Sequence, residues 1–130
     1  MIAAAHPARS ATVSIWVGRV LSALAIVFLA FDTVIKVLSL APAVEATTQL
    51  GYGTNLVVTI GLIELVCLAL YAIPRTAIVG AVLLTGYLGG AVATHVRAGS
   101  SLFQVVFPLI IGALVWGGLA LRDKRLRALL

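Results

Sequence analysis

Four long apolar runs, separated by short polar or Gly/Pro-rich breaks, dominate the chain, covering residues 13–40, 55–73, 76–96 and 102–121. A helix needs about 20 apolar residues to cross the hydrocarbon core of a bilayer, so each run predicts one transmembrane helix. The first run is longer than one crossing, which predicts tilt or an extension past the bilayer. Ser10 and Thr12 offer N-caps for its start, and Ala41-Pro42 predicts its end. Turn formers from Gln49 to Asn55 precede the second helix. Ile73-Pro74-Arg75-Thr76 predicts a tight turn, since proline removes a donor where a helix must stop anyway. Arg97-Ala98-Gly99-Ser100-Ser101 separates the third helix from the fourth. Connections this short make successive helices antiparallel neighbours. The expected fold is all-α: a transmembrane up-down four-helix bundle, one integral membrane domain over residues 1–130, without internal repeats. A cleaved signal peptide is not expected from the first run, because a signal core spans about 7 to 15 residues. Asp32 and Lys36 also fall late in that run.

Composition strengthens this picture. Of the 130 residues, 62% are hydrophobic and 10% charged, against about 25% charged in an ordinary soluble domain. Too few polar groups remain to cover a soluble surface. A disordered chain and a disulfide scaffold are excluded by the same numbers. The single cysteine, Cys67, sits in an apolar run and reads as a buried thiol; one thiol makes no CxxC pair. The formal charge is +5, and it reports orientation first. Arg9, Arg75, Arg122, Lys124, Arg125 and Arg127 fall on one side of the expected bundle, Lys36 and Arg97 on the other. The positive-inside rule then predicts both termini cytoplasmic, in a bacterial-type inner (plasma) membrane. The tail from Arg122 to Arg127 suits the anionic inner leaflet, as a stop signal or as a specific lipid or partner site. The expected surroundings are the lipid bilayer. Nucleic acid is not expected, since no solvated basic face with interleaved aromatics is present.

Polar residues inside the apolar runs carry the candidate chemistry, because each charge there must be paired or hydrated. They are Arg19, Asp32, Lys36, Glu64 and His95. A rise of about 1.5 Å per residue puts Arg19 in the inner third of helix one and Asp32 and Lys36 in the outer third. Glu64 falls near the middle of helix two and His95 at the outer end of helix three. Asp32, Lys36, His95 and Arg97 thus share one depth. Two partners lie within reach of Glu64: Arg19 on one side and the outer cluster on the other. Asp32 and Lys36 are four apart and share a helix face. Glu64, Asp32 and His95 are the candidates for acid/base work or for holding the polar end of a ligand. Arg19, Lys36, Tyr87, Thr94 and Arg97 are candidate ligand-binding residues. One histidine beside two carboxylates permits a metal without signalling one, so no metal is expected. Tyr71, at a helix end, is expected to anchor at the interface, as is Trp16; Trp116 is expected to pack within the fourth helix. Gly86 and Gly90 make a GxxxG spacing, extended by Gly80 and Ala91 and matched by Ala113 and Gly117. These small residues predict close helix packing within the chain, or a homodimer through the Gly86/Gly90 face.

The chain resembles the DoxX-like family of small four-helix membrane proteins. The resemblance is carried by Trp16-Val-Gly-Arg19, Phe31-Asp32…Lys36, Gly61…Glu64, Tyr71-Ala-Ile-Pro74-Arg75 and Trp116-Gly-Gly-Leu119…Leu121-Arg122-Asp123. Its strongest part runs from Leu84 to Ala91 and continues through Thr94-His95-Val96-Arg97. The resemblance implies the same bundle and a loose association with redox systems, as in DoxD/DoxX subunits linked to thiosulfate:quinone oxidoreductase. It implies no established reaction. The leading expectation is a lipophilic-ligand-binding or quinone-linked, redox-associated subunit, with a quinone or other isoprenoid as ligand and electrons from a redox protein partner. No cofactor is required by the sequence. One alternative is an intramembrane enzyme, of isomerase, cyclase or epoxide-opening type, acting on a lipophile. Another is a purely structural assembly subunit. A small proton-coupled exporter fits less well, since its glutamate belongs in the first helix and its charge bias is weak.

Overall fold

The computed structural model describes residues 2–129, with side chains from residue 11 onward; Arg9 and His6 therefore lie outside the described side chains. Six α-helices follow one another: α1 Ile2–Val37, α2 Ala41–Gln49, α3 Val57–Ala72, α4 Ala77–Arg97, α5 Leu102–Arg122 and α6 Lys124–Leu129. There is no strand among the described residues. Four segments are long and apolar enough to cross a membrane: Ala11–Val37, Thr54–Ala72, Pro74–Arg97 and Leu102–Arg122.

The helix boundaries differ from expectation mainly in the first third of the chain. α1 begins at Ile2 rather than near residue 13, so Ser10 and Thr12 lie inside it rather than at its start. The upstream Ala3-Ala4-Ala5 has the highest helix propensity available and simply continues the helix. α1 ends at Val37, earlier than expected, in a reversal that needs a left-handed residue: Ser39 has φ 52°. There the Leu40 N–H reaches back to the Ile35 carbonyl at 2.9 Å, satisfying an orphan carbonyl of the last turn. Ala41-Pro42 therefore opens the next helix instead of ending the first. Proline is pre-shaped for a first helical turn. The resulting α2 occupies a stretch expected to be loop. It buries Ala43 and Thr47, four apart, against the end of the bundle.

The remaining ends follow their local chemistry. A 3₁₀ turn at Thr54–Leu56 leads into α3, and a second at Pro74–Thr76 joins α3 to α4. Ile73, ahead of the proline, is extended, as the proline ring demands. Ser101 and Gln104 form a capping box at the start of α5. At the start of α6, the Arg125 and Leu126 N–H groups donate to Asp123 Oδ1 at 2.8 and 3.3 Å. Burial pushes the Asp123 carboxyl up, but hydrogen bonds from Arg125 and from these backbone groups hold it below the usual carboxylate range.

The four long helices close a ring in which α1 packs on α3 and α5, and α4 packs on the same two. Along α1, Gly18 meets Gly118 and Phe28 meets Phe107, so α1 and α5 run in opposite directions. Gly61 against Lys36 and Tyr71 against Ser22 give the same sense for α1 and α3. Tyr71 against Gly80 and Glu64 against Tyr87 give it for α3 and α4. The ring buries Ala25, Leu29, Leu68, Leu84, Val115 and Leu119. It turns Val27, Phe31, Val66 and Phe103 outward, each more than half exposed. Large apolar groups outside and charged groups inside is the arrangement lipid favours.

Close helix approach occurs at Gly80, as the small-residue stripe suggested, but otherwise at glycines outside it. A Cβ at Gly18 would sit 2.7 Å from the Gly118 carbonyl oxygen, and one at Gly61 would sit 2.8 Å from Lys36 Cβ. A Cβ at Gly80 would overlap the Tyr71 backbone. Gly86, Gly89 and Gly90 have nothing within 4 Å of such a Cβ, and Gly117 makes only ordinary contact. The expected intrachain seam at Gly86 and Gly90 is thus corrected: those residues face open space, and Gly118 rather than Gly117 carries the α1–α5 crossing.

Candidate functional site: an ion cluster beside a cavity

Lys36 is the hub of the bundle's polar interior. α1 delivers it one turn after Asp32, α3 brings Glu64 beside it, and α4 adds Tyr87. Close passage of α3 is allowed because Gly61, one turn before Glu64, has no side chain to strike Lys36. Lys36 Nζ donates to Asp32 Oδ2 at 2.5 Å, to Tyr87 Oη at 2.7 Å and to Glu64 Oε2 at 3.0 Å. An ammonium group has three protons, and all are engaged. The Tyr87 hydroxyl donates in turn to Glu64 Oε2 at 3.0 Å. Glu64 is fully buried, while the side chains of Lys36 and Asp32 are 15% and 29% exposed.

Every donor in the cluster is spent inside it, and acceptors are left over. Glu64 Oε1 is buried without a partner. Two carboxylates also face one ammonium. With both ionised the cluster carries one negative charge in excess; one added proton makes it neutral. The spare capacity is therefore for a proton, a cation or a hydrogen-bond donor.

Asp32, Lys36 and Tyr87 border a cavity of about 630 Å³ that runs along α1, α4 and α5 beneath α2. Its apolar walls include Phe28 and Phe107, stacked edge to face at 4.9 Å. Thr47 of α2 and Tyr52 of the following loop border its other end. Tyr52 is hydrogen-bonded to Thr94 at 3.2 Å. Arg97 reaches from α4 to the Leu50 carbonyl at 2.9 Å and ties the same loop down. His95 borders the cavity too, its Nδ1 2.9 Å from Ser100 Oγ. Gly86 and Gly90 form part of the wall. The expected dimer face thus coincides with the surface of the cavity.

The sequence-predicted residues separate into three groups. Asp32, Lys36, Glu64 and Tyr87 come together as one cluster. His95, Thr94 and Arg97 stand near the α2 end; His95 and Thr94 border the cavity, bonded to neither carboxylate. Arg19 lies apart, at the end of the bundle where α5 stops, since its neighbour Gly18 meets the backbone of Arg122. The two partners considered for Glu64 are therefore resolved in favour of Lys36. No group of His, Cys, Asp and Glu able to hold a metal occurs among the described residues.

Sequence reasoning missed a second polar knot. Tyr71, expected at the interface, is fully buried. Its hydroxyl donates to the Val115 carbonyl at 2.7 Å and lies 2.8 Å from Ser22 Oγ. Arg122 Nε donates to Ser22 Oγ at 3.0 Å, and the guanidinium stacks 5.5 Å from the Tyr71 ring centre. A helix-end tyrosine is amphipathic in either setting; what buries this one is the glycine at position 80, which lets α4 cross directly over it. Removing only the hydroxyl, in Tyr71→Phe, is expected to cost about 1 kcal/mol, the net worth of one buried hydrogen bond. Thermal unfolding in detergent measures it, and an unchanged midpoint would show that the knot contributes nothing.

No curated protein and no solved structure matches the chain. The sequence pattern of the DoxX-like family matches residues 20–118, a stretch that holds all four members of the Lys36 cluster as well as Thr94, His95 and Arg97. Together with four apolar helices of membrane-spanning length, that match makes this a multi-pass integral membrane protein. The chain belongs to the DoxX-like family.

Proposed function

We propose that the protein is a membrane-embedded binding module for a lipophilic molecule, docked in the cavity with its polar end against the Lys36 cluster. One observation carries this reading: a cavity of about 630 Å³ with a largely apolar lining is bordered by Asp32, Lys36 and Tyr87, three of the four members of the charged cluster. Small-molecule sites typically enclose about 300–1,000 Å³, with apolar walls and a few convergent polar groups. A purely structural subunit would have no use for the open volume. A quinone-class or other isoprenoid molecule suits the walls. Because the spare groups are acceptors, a polar end that donates a hydrogen bond, such as the hydroxyl of a quinol, suits the cluster better than a bare carbonyl. Asp32, which borders the cavity, would accept that hydrogen bond, and Lys36 and Tyr87 would hold Asp32 and Glu64 in place. With one thiol in the chain, electrons in a redox role would come from a partner protein. The basic residues concentrated at the α6 end favour that end as cytoplasmic, in an inner membrane.

A second reading, an intramembrane enzyme, is favoured by the contact of Tyr87 with both Lys36 and Glu64, which links two groups able to exchange a proton. Turnover lost in Asp32→Asn without loss of folding would favour it over simple binding.

The test of the binding reading uses the cavity wall. Gly86 and Gly90 border the cavity, and an added Cβ at either meets nothing. Gly90→Leu is expected to keep the fold, since glycine inside a helix costs about 0.5–1 kcal/mol relative to alanine, while filling the binding volume. Solvent extraction and mass spectrometry of protein purified from native membrane is expected to find a lipophile with the wild type and its loss from Gly90→Leu. Equal content in both proteins would overturn the proposal.

A further inference from the structure

A second recess, of about 390 Å³, lies at the α6 end, between α1, the end of α3 and the end of α5. It is bordered by Arg19, Ser22, Ile26, Pro74 and Arg122. We propose that it binds the phosphate of an anionic phospholipid between the guanidinium groups of Arg19 and Arg122.

The argument begins with charge. Among the described residues, ion pairs join only Lys36 to Asp32 and Glu64, and Arg125 to Asp123. Among the described residues neither Arg19 nor Arg122 has a carboxylate partner, although both belong to membrane-length segments. Arginine stays protonated at any physiological pH, so its counter-charge must come from elsewhere. Asp123, the one acid at this end among the described residues, is engaged by Arg125. Arg75, Lys124, Arg125 and Arg127 add to the positive potential around the recess.

Geometry supports a built site. Each guanidinium lies beside an aromatic ring: Arg19 is 5.4 Å from the centre of Trp16, and Arg122 is 5.5 Å from that of Tyr71. Arg122 spends Nε on Ser22, which leaves its terminal nitrogens for another acceptor. Planar guanidinium forks suit phosphate oxygens, which accept paired N–H bonds. The recess exceeds a bare phosphate in volume. Ala23 and Ile26 line it on α1, and Val27, one turn on from Ala23, is 68% exposed. A diacyl tail has a path there that a free ion would not need. The level is also right, because Gly18 meets the backbone of Arg122 where α5 ends.

The test reconstitutes the full chain in vesicles of phosphatidylcholine with a minor fraction of phosphatidylglycerol, then counts retained lipids by native mass spectrometry. Arg19→Gln is expected to reduce phosphatidylglycerol enrichment about fivefold, and Arg19→Gln/Arg122→Gln about twenty-fivefold, from the attraction of one basic residue to an anionic lipid surface. Lys124→Gln/Arg127→Gln removes the same charge outside the recess and is expected to change enrichment little. An equal loss in that control would show diffuse attraction and overturn the site, as would unchanged enrichment in Arg19→Gln. Displacement of the lipid by inorganic phosphate alone would reassign the recess to a free anion. Arg122 packs on Tyr71, so Arg19→Gln alone decides the matter if the double variant does not fold.

Discussion

Replacing Lys36 by methionine is expected to lower folding stability by about 3–5 kcal/mol, the usual cost of removing one partner from a buried ion pair. Methionine keeps the length and packing of the side chain but leaves Asp32 and Glu64 facing each other without a cation. Glu64 is fully buried and cannot turn to water. The same principle predicts a rescue. Converting the whole cluster to apolar residues, as Asp32→Leu/Lys36→Met/Glu64→Leu, removes the uncompensated charges together and is expected to recover most of the loss. Reversible unfolding in a defined detergent measures both. A penalty below about 1 kcal/mol in Lys36→Met would mean that the cluster behaves like a solvated surface pair, contrary to its burial. The triple variant is informative beyond stability: it is expected to fold and yet retain no lipophile. Lipophile retained in full would move the binding reading away from this cluster.

Gly80→Ala is expected to destabilise the bundle by about 3 kcal/mol, at the upper end of the cost of overpacking a close-packed interior. The added methyl would overlap the backbone of Tyr71 and lie 2.6 Å from the Leu70 carbonyl carbon. Backbone cannot rotate aside as a flexible side chain does, so α3 and α4 must separate. That separation would also strain the Tyr71 hydrogen bonds to Ser22 and Val115. Gly89→Ala is the control. Nothing stands within 4 Å of its added Cβ, so it is expected to be neutral or to stabilise by up to about 1 kcal/mol through helix propensity. Equal behaviour of the two variants would remove the case for a close α3–α4 crossing at Gly80.

These contrasts mark how far the sequence could be read. Glu64 and Lys36 announced themselves because a charge in an apolar run needs an explanation, but spacing along separate helices left Glu64 between Arg19 and the outer cluster. The choice depends on how α1 and α3 are rotated and shifted, and Gly61 sets that approach. Tyr71 and Arg122 carried the same ambiguity between interface and interior. The small-residue stripe was legible as a close-packing signal and held at Gly80, yet the other packing glycines are Gly18, Gly61 and Gly118 rather than Gly86 and Gly90. Lipid and protein demand similar apolar surfaces, so a stripe of small residues does not say which neighbour it faces. α2 escaped notice because nine residues carry little periodicity, although Pro42 followed by an alanine-rich turn was a helix-start signal.

The sequence by itself determined what summed composition and hydropathy can determine: an all-α membrane protein with four apolar helices of spanning length, a buried thiol at Cys67 and a charged minority within the apolar runs. Those properties follow from the cost of placing polar groups in hydrocarbon, which each stretch of chain meets independently of the others. Only the tertiary structure decided which charges meet, where the helices touch, and that a cavity opens beside the Lys36 cluster. Those are properties of pairs and quartets of helices, fixed by azimuth and axial offset to within a few ångströms, and a one-dimensional pattern holds no record of either.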